Sequence, residues 1–409
     1  MGIDSLRKNG WKMNASRLVA ICYTVIFVIT GMAVGQSDTT LGTDLYRTVL
    51  KVMLYAAFFI AVGTLIYLKR KAKIDILIVV IIYWLFTHLF TYTEQNLAII
   101  NTVFLLSLAL LTDDDLVLIF SMYKKFMVVI CAIGIICYLT YAINFPIQLP
   151  HSQVSYYSLR ESHYYIDYFF CYLLKMGSLL RLCGLFNEPG YLGTFLALIL
   201  CADGFDIKKK ENIILLLAGI LTFSLAFYVI LIICVALRYT RSLKSFIITI
   251  LLLIILILVI PEIAKMNDTM NYLMLRINFD SLTSRTSKVF DVLYDEWRTS
   301  DKVFFGYGYG YCSSKILIDT EGTASYKKAL VEFGIVGFVL YYLNLIIPAV
   351  KRAKGYTLSI VFVICFFIST YQRPYMYKLD YMILLFSAIA FSKSVSFHPR
   401  FSEQGKIDE

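Results

Sequence analysis

No CxxC pair and no metal-ligand spacing occurs among the nine cysteines of this 409-residue chain. That absence sets aside structural zinc sites and thioredoxin-like redox chemistry. Neither end holds a polar stretch fit for a separate soluble domain. No inverted repeat is visible, which argues against a small-solute permease. A lone GxGxG at Gly306, Gly308 and Gly310 has no strand before it and no Rossmann-like unit around it. It is therefore weak as a nucleotide signal.

What is abundant is apolar sequence. Hydrophobic residues make up 59% of the chain, whereas soluble domains rarely exceed roughly 50%. Uninterrupted apolar stretches of about 17–25 residues recur, each long enough to cross a hydrocarbon core of about 30 Å as a helix. A helix satisfies its own backbone hydrogen bonds, which lipid cannot do. The expectation is one all-α polytopic membrane domain covering residues 1–409. Most cysteines (Cys22, Cys131, Cys137, Cys201, Cys234 and Cys365) fall in apolar runs as small hydrophobes. Cys171, Cys183 and Cys312 fall in or beside the loops, leaving room for one disulfide. The basic start at Arg7, Lys8, Lys12 and Arg17 suits a retained first span rather than a cleaved leader.

The formal charge of +10 does not point to nucleic acid. The excess Lys and Arg sit in short connectors between apolar spans, where cytoplasmic connectors carry them. This rule places the N-terminus, Lys69-Arg70-Lys71, Lys124-Lys125, Lys208–Lys210, Arg238–Lys244, Lys351-Arg352 and the C-terminal tail in the cytoplasm. The spans between them are approximately 17–35, 49–68, 74–90, 97–112, 126–145, 187–204, 245–261, 329–350, 357–371 and 379–393. Residues 212–237 resemble one further long span, yet bases flank both its ends. A single crossing would break the charge rule, so a broken helix pair is expected, turning at Thr222-Phe223-Ser224 beside a cavity. The total is about twelve membrane helices.

Two long loops, approximately 146–186 and 262–328, then face away from the cytoplasm, with short helices expected in them. Loop one is rich in tyrosine (Tyr156, Tyr157, Tyr164, Tyr165, Tyr168, Tyr172) and carries Arg160, Glu161, Asp167 and Arg181. These aromatics suit either interfacial anchoring or sugar stacking. In loop two, 284–299 reads as an amphipathic helix with Val289, Leu293 and Trp297 on one face, capped by Ser284 or Thr286.

Two patterns carry candidate chemistry. The first is RLCGLFNEPGYLG, residues 181–193. Pro189 fits the first turn of a helix, and Glu188 suits the positive end of its dipole. The first-turn amides, with Arg181 nearby, are able to receive an anion. The second is Ser284-Arg285 followed by FFGYGYGY, residues 304–311. Arginine offers phosphate a planar fork of donors, and alternating Gly and Tyr permits a tight turn with aromatic faces.

Together with the interrupted TFSLAF (222–227), SRTSKVF (284–290) and LVEFGIVGFVLYY (330–342), these blocks resemble the O-antigen polymerase (Wzy) and O-antigen ligase superfamily. Order, spacing and topology agree over roughly 175–395, while the first five spans agree only in hydropathy. The resemblance implies a GT-C-like membrane glycosyltransferase of the bacterial inner membrane, with both termini cytoplasmic and a periplasmic site. It implies no metal or cofactor, and undecaprenyl-pyrophosphate-linked glycans as donors. Membrane lipid and a chain-length regulator are the other candidate partners. Carried over, the loop arginines are Arg181 and Arg285, with Glu188 as candidate base or dipole partner. Asn187, Pro189, Gly190, Gly306, Tyr307, Gly308, Tyr309 and Gly310 are the expected substrate-binding positions. Ligases usually carry a histidine just before the helix resembling LVEFGIVGF. Here Thr320–Tyr326 has none, which favours polymerase over ligase. A flippase, the other alternative, tends to have shorter connectors.

Overall fold

The computed structural model describes residues 3–32, 43–92, 97–144, 149–155, 163–176, 179–239, 288–315, 326–371, 373 and 375–396. Its first half is helical, with α1 Ile3–Gly31, α2 Asp44–Tyr67, α3 Ile74–Leu89, α4 Leu97–Ser107 and α5 Asp113–Ala142. A sheet of β1 Ser152–Ser155, β2 His163–Asp167, β3 Tyr172–Met176 and β4 Leu179–Gly184 follows. Helices then resume as α6 Pro189–Ala202, α7 Lys210–Leu221 and α8 Leu225–Tyr239. The last part comprises α9 Lys288–Thr299, the short α10 Tyr311–Lys315, α11 Tyr326–Ala353, α12 Thr357–Ser369 and α13 Leu379–Ser396.

Five of these helices are long and apolar enough to cross a membrane, and five shorter ones are also apolar. Their outward faces are apolar as well. Ile74, Ile78, Ile81 and Leu85 on α3, and Val336, Val339, Leu343, Ile347 and Val350 on α11, are exposed at helical spacing. Water-facing helices show the opposite pattern, polar outside and apolar inside. This is a helical membrane protein. At its centre stand α6, buried at nearly every position, and α13, ringed by α1, α5, α8 and α12.

One end of the bundle is closed by ion pairs between connectors. Arg352 at the end of α11 binds Asp75 through Nε and Nη2, at 2.5 and 2.9 Å. Lys73 holds Asp113 at 2.5 Å, and Arg70 lies 3.5 Å from Asp115. Asp115 also completes a capping box with Thr112 at the start of α5. That cap corrects the expected connector at Lys124-Lys125. The chain turns at 111–112 instead, because three consecutive aspartates favour a helix N-terminus there. Lys124 therefore lies roughly three turns inside α5. It is buried and paired with Asp203 at 2.8 Å, to which Lys209 and Asn212 also donate.

The opposite end carries the largest departure from expectation. Loop one holds a four-stranded antiparallel meander in the order β1-β2-β3-β4, rather than short helices, so the chain is not all-α. Both faces of β3 and β4 are covered while the edge strand β1 is largely exposed, and that packing lets a sheet of few strands persist. Leu173 and Leu182 join the main core, and Leu182 packs so closely on α5 that a Cβ at Gly134 would lie 2.9 Å from it. Tyr165, Tyr172 and Leu174 form a second cluster with Ile130 of α5. Cys171, Cys183 and Cys312 are buried free thiols and form no disulfide.

In loop two, α9 is described from Lys288, with the expected caps Ser284 and Thr286 outside the described residues, and its buried face is Phe290, Leu293 and Trp297. Leu293 and Trp297 of the expected face are buried, and Val292 on the opposite side is 59% exposed. Beyond α9, residues 303–309 are bonded into a break in α11, where Gly334 takes φ 68°. The amides of Tyr307 and Gly308 donate to the carbonyls of Val331 and Glu332 at 3.0 and 2.8 Å. The amides of Ile335 and Val336 donate to Val303 and Phe304 at 2.9 and 3.1 Å. Backbone groups freed by the kink are thus paired again, as an apolar surround requires.

The two strands of this clasp touch through glycine. A Cβ at Gly306, which has φ 70°, would lie 2.3 Å from the Glu332 carbonyl oxygen, whereas one at Gly63 would meet nothing within 4 Å. Gly306→Ala is expected to lower stability by at least about 2 kcal/mol from the left-handed backbone and the clash together. Gly63→Ala is expected to be neutral or slightly stabilising. Thermal unfolding of both variants in detergent checks this, and equal melting temperatures would refute the clasp.

Candidate active site

The expected break between Leu221 and Leu225 is present, with Phe223 at φ 46°. A helix that stops leaves its last carbonyls without intrahelical partners. Here Arg181, reaching from β4, donates from Nε to the Thr222 carbonyl at 2.9 Å and from Nη2 to the Phe223 carbonyl at 3.0 Å. Its third nitrogen, Nη1, lies 3.9 Å from the Met176 sulfur. The turn is thus buried in protein, with Thr222 and Ser224 almost fully covered, and no cavity is needed beside it.

The start of α6 abuts this turn. A Cβ on Gly193 would lie 2.7 Å from the Ser224 Cβ and 2.9 Å from Thr222 Oγ1. Glycine at this position therefore sets how closely α6 and the turn approach. Glu188 is the N-cap of α6 and Pro189 follows as its first helical residue. The Asn187 carbonyl accepts a hydrogen bond from the Tyr165 hydroxyl, tying the segment to the sheet. The Tyr191 hydroxyl donates to the buried Asp380 of α13.

Arg373, between α12 and α13, reaches the same place and pairs with the Glu188 carboxylate. Its guanidinium lies over the Tyr191 ring, 5.2 Å from the centroid. A Cβ on Gly190 would lie 3.0 Å from Nη2 and 3.8 Å from Ser224 Oγ. Burial is the largest single influence on Arg373 and works against its charge, but Glu188 together with the surrounding Tyr381, Tyr191 and Tyr375 holds the guanidinium's pKa above its ordinary value. Two arginines thus approach the 222–224 turn from different elements, and α6 begins beside them.

The structure brings together Arg181, Asn187, Glu188, Pro189 and Gly190, as the sequence suggested. Arg285 lies outside the described residues. Gly306, Tyr307, Gly308, Tyr309 and Gly310 sit instead on the broken α11 and on residues 90–92. Tyr309 exchanges backbone hydrogen bonds with Phe90 and Tyr92 there. The amides of 306–309 are spent on protein carbonyls, so the motif offers only side chains: the exposed Phe304 and Phe305 and the part-exposed rings of Tyr307 and Tyr311, stacked at 4.3 Å. Sequence reasoning missed Arg373. Its signal was present: a lone arginine, flanked by Gln372 and Pro374, in the connector that the charge rule assigns away from the cytoplasm. Among the described residues no cluster of His, Cys, Asp and Glu is suited to hold a metal ion.

Comparisons with protein-family models, with curated proteins and with solved structures find no match to this chain.

Removing the Arg181 side chain would leave two buried carbonyls unpaired, each worth about 1–3 kcal/mol. Arg181→Met is therefore expected to destabilise the detergent-solubilised protein by about 2–5 kcal/mol, and Arg181→Lys by less. Unchanged melting of Arg181→Met would contradict the role of this side chain at the turn.

Proposed function

We propose that this chain is a bacterial inner-membrane glycosyltransferase that polymerises undecaprenyl-pyrophosphate-linked oligosaccharide repeat units into O-antigen or a related surface polysaccharide. On this reading the bundle is a GT-C-like arrangement of about twelve membrane helices. Both termini are cytoplasmic, and the sheet-bearing end faces the periplasm. The observation that carries the proposal is the convergence of the buried Arg181 and the part-buried Arg373 at the start of α6, at one end of an otherwise apolar bundle. Ionisable groups at such depth are costly unless paired and mark functional positions.

The reaction joins a sugar hydroxyl of one unit to the anomeric carbon of the other. The new C–O bond forms as the glycosyl–phosphate C–O bond breaks, and undecaprenyl pyrophosphate leaves with the bonding pair. The hydroxyl proton passes to a base or to solvent. Fixed donors next to the leaving pyrophosphate stabilise its growing charge without further reorganisation. Arg181 and Arg285 carry over from the family resemblance as that pair. Arg181 already spends two donors on the turn, so its part is to hold the turn and lend it positive charge. Glu188 keeps two roles: proton acceptor for the incoming hydroxyl, or charge partner at the helix start. The stacked tyrosines of the 306–311 segment offer apolar faces to sugar rings.

Deleting the gene in its host tests the reading against its neighbours. A polymerase loss leaves single repeat units on the surface lipid. A ligase loss leaves no glycan attached, and a flippase loss strands units inside. Single-unit surface glycan, restored to long chains by the intact gene but not by Arg285→Ala at equal abundance, is the expected result. Normal long chains in the deletion strain would overturn the proposal.

A further inference from the structure

Arg373 is held at the start of α6 by one ion pair and one ring contact. Tyr191 lies under one face of its guanidinium, and Gly190 leaves the space that Nη2 fills. The Arg373 side chain is 18% exposed, whereas that of its partner Glu188 is 44% exposed. One member of the pair is largely covered by protein, and the other is half-exposed. Nearby, the hydroxyl of the fully buried Tyr381 has no hydrogen-bond partner. Tyr381 lies within electrostatic reach of both Arg373 and Glu188. A buried hydroxyl without a partner is uncommon unless something else completes it.

These features describe an anion slot with a carboxylate already in it. The guanidinium fork binds carboxylate and phosphate with the same planar geometry. The positive end of α6 adds to the attraction for either group. Resting on the polymerase reading, we propose that Arg373 is a phosphate-binding residue for the pyrophosphate of a polyprenyl-linked substrate. Glu188 is its displaceable internal counterion rather than the base. When the pyrophosphate arrives, its oxygens replace the Glu188 carboxylate on the Arg373 fork, and Glu188 swings outward. Without a substrate, Glu188 keeps a part-buried guanidinium from standing unpaired, which would be unfavourable. A purely structural pair, or a pair that orients a base, makes the opposite prediction for removal of the carboxylate charge.

The test is ligand-dependent thermal stabilisation of the purified full-length chain in lipid nanodiscs. The probes are undecaprenyl pyrophosphate, undecaprenyl monophosphate and inorganic pyrophosphate. Wild type is expected to be stabilised by undecaprenyl pyrophosphate. Glu188→Gln is expected to bind it at least several-fold more tightly, because no counterion has to be displaced. Arg373→Lys is expected to bind at least tenfold more weakly, since an ammonium replaces the fork at similar charge. The Arg373→Lys and Glu188→Gln arms decide the matter even if Arg373→Ala fails to fold. Stabilisation by inorganic pyrophosphate as well would mean that the headgroup suffices, and stabilisation only by the lipid form that the tail is also read. Unaltered affinity in Arg373→Lys, weaker binding in Glu188→Gln, or no stabilisation by any probe would overturn the proposal. Arg373-dependent binding together with normal glycan chains in the deletion strain would retain the site while rejecting the polymerase reading.

Discussion

Two hydrogen bonds, from Arg181 to the carbonyls of Thr222 and Phe223, underlie the arrangement at the sheet-bearing end. An apolar surround offers no partner to a backbone that leaves the helix, so a break at this depth persists only where protein groups satisfy it. The break needs an arginine, and the arginine needs a rigid base. That base is β4, whose partner strand β3 holds Arg181 opposite Leu174. The same break sends α8 back along α6, with Phe227 of α8 filling the space left by Gly219 of α7. Sheet, turn and central helix are therefore fixed together, and α6 begins where the positive charge collects.

The two ends of the bundle use charge differently. At the connector end, Arg352, Lys73 and Arg70 meet Asp75, Asp113 and Asp115 in local pairs that pin helices to one another. At the other end the charges form a chain through the interior: Arg373 binds Glu188 and lies over Tyr191, which in turn donates to Asp380. A fully buried hydroxyl without a partner lies beside this chain, at Tyr381. Closed pairs stabilise. An open-ended polar chain inside an apolar bundle is the arrangement that a substrate headgroup would complete.

Much of the architecture could be read from the residues because membrane helices obey simple rules. Hydropathy located the apolar helices, and the conflict between hydropathy and flanking charge located the break at 222–224. The connector at Lys124-Lys125 misled because a basic pair inside a helix looks the same as one between helices. Only the partner Asp203, distant in sequence, distinguishes them. The meander was invisible because short strands such as YLLKM and LLRLCG are buried on both faces and so lack the apolar–polar alternation that marks a strand. The cluster of Arg181 with residues 187–190 was legible as a helix start beside an arginine. Arg373 stood out only as an arginine against the charge rule, and its meaning depends on Glu188, far away in the chain. The glycine-rich 306–310 motif was read for its aromatic faces. Its backbone instead follows from Gly334, which forces a kink that something must clasp.

The central claim is that this arginine-lined helix start expels a polyprenyl pyrophosphate from a glycan. The most direct measurement incubates the purified chain with one defined undecaprenyl-pyrophosphate-linked repeat unit and follows both products. The account predicts a ladder of lengthening glycans, with one undecaprenyl pyrophosphate released for each bond formed. Intact single units after prolonged incubation with folded protein, or chain growth without release of the pyrophosphate carrier, would contradict it.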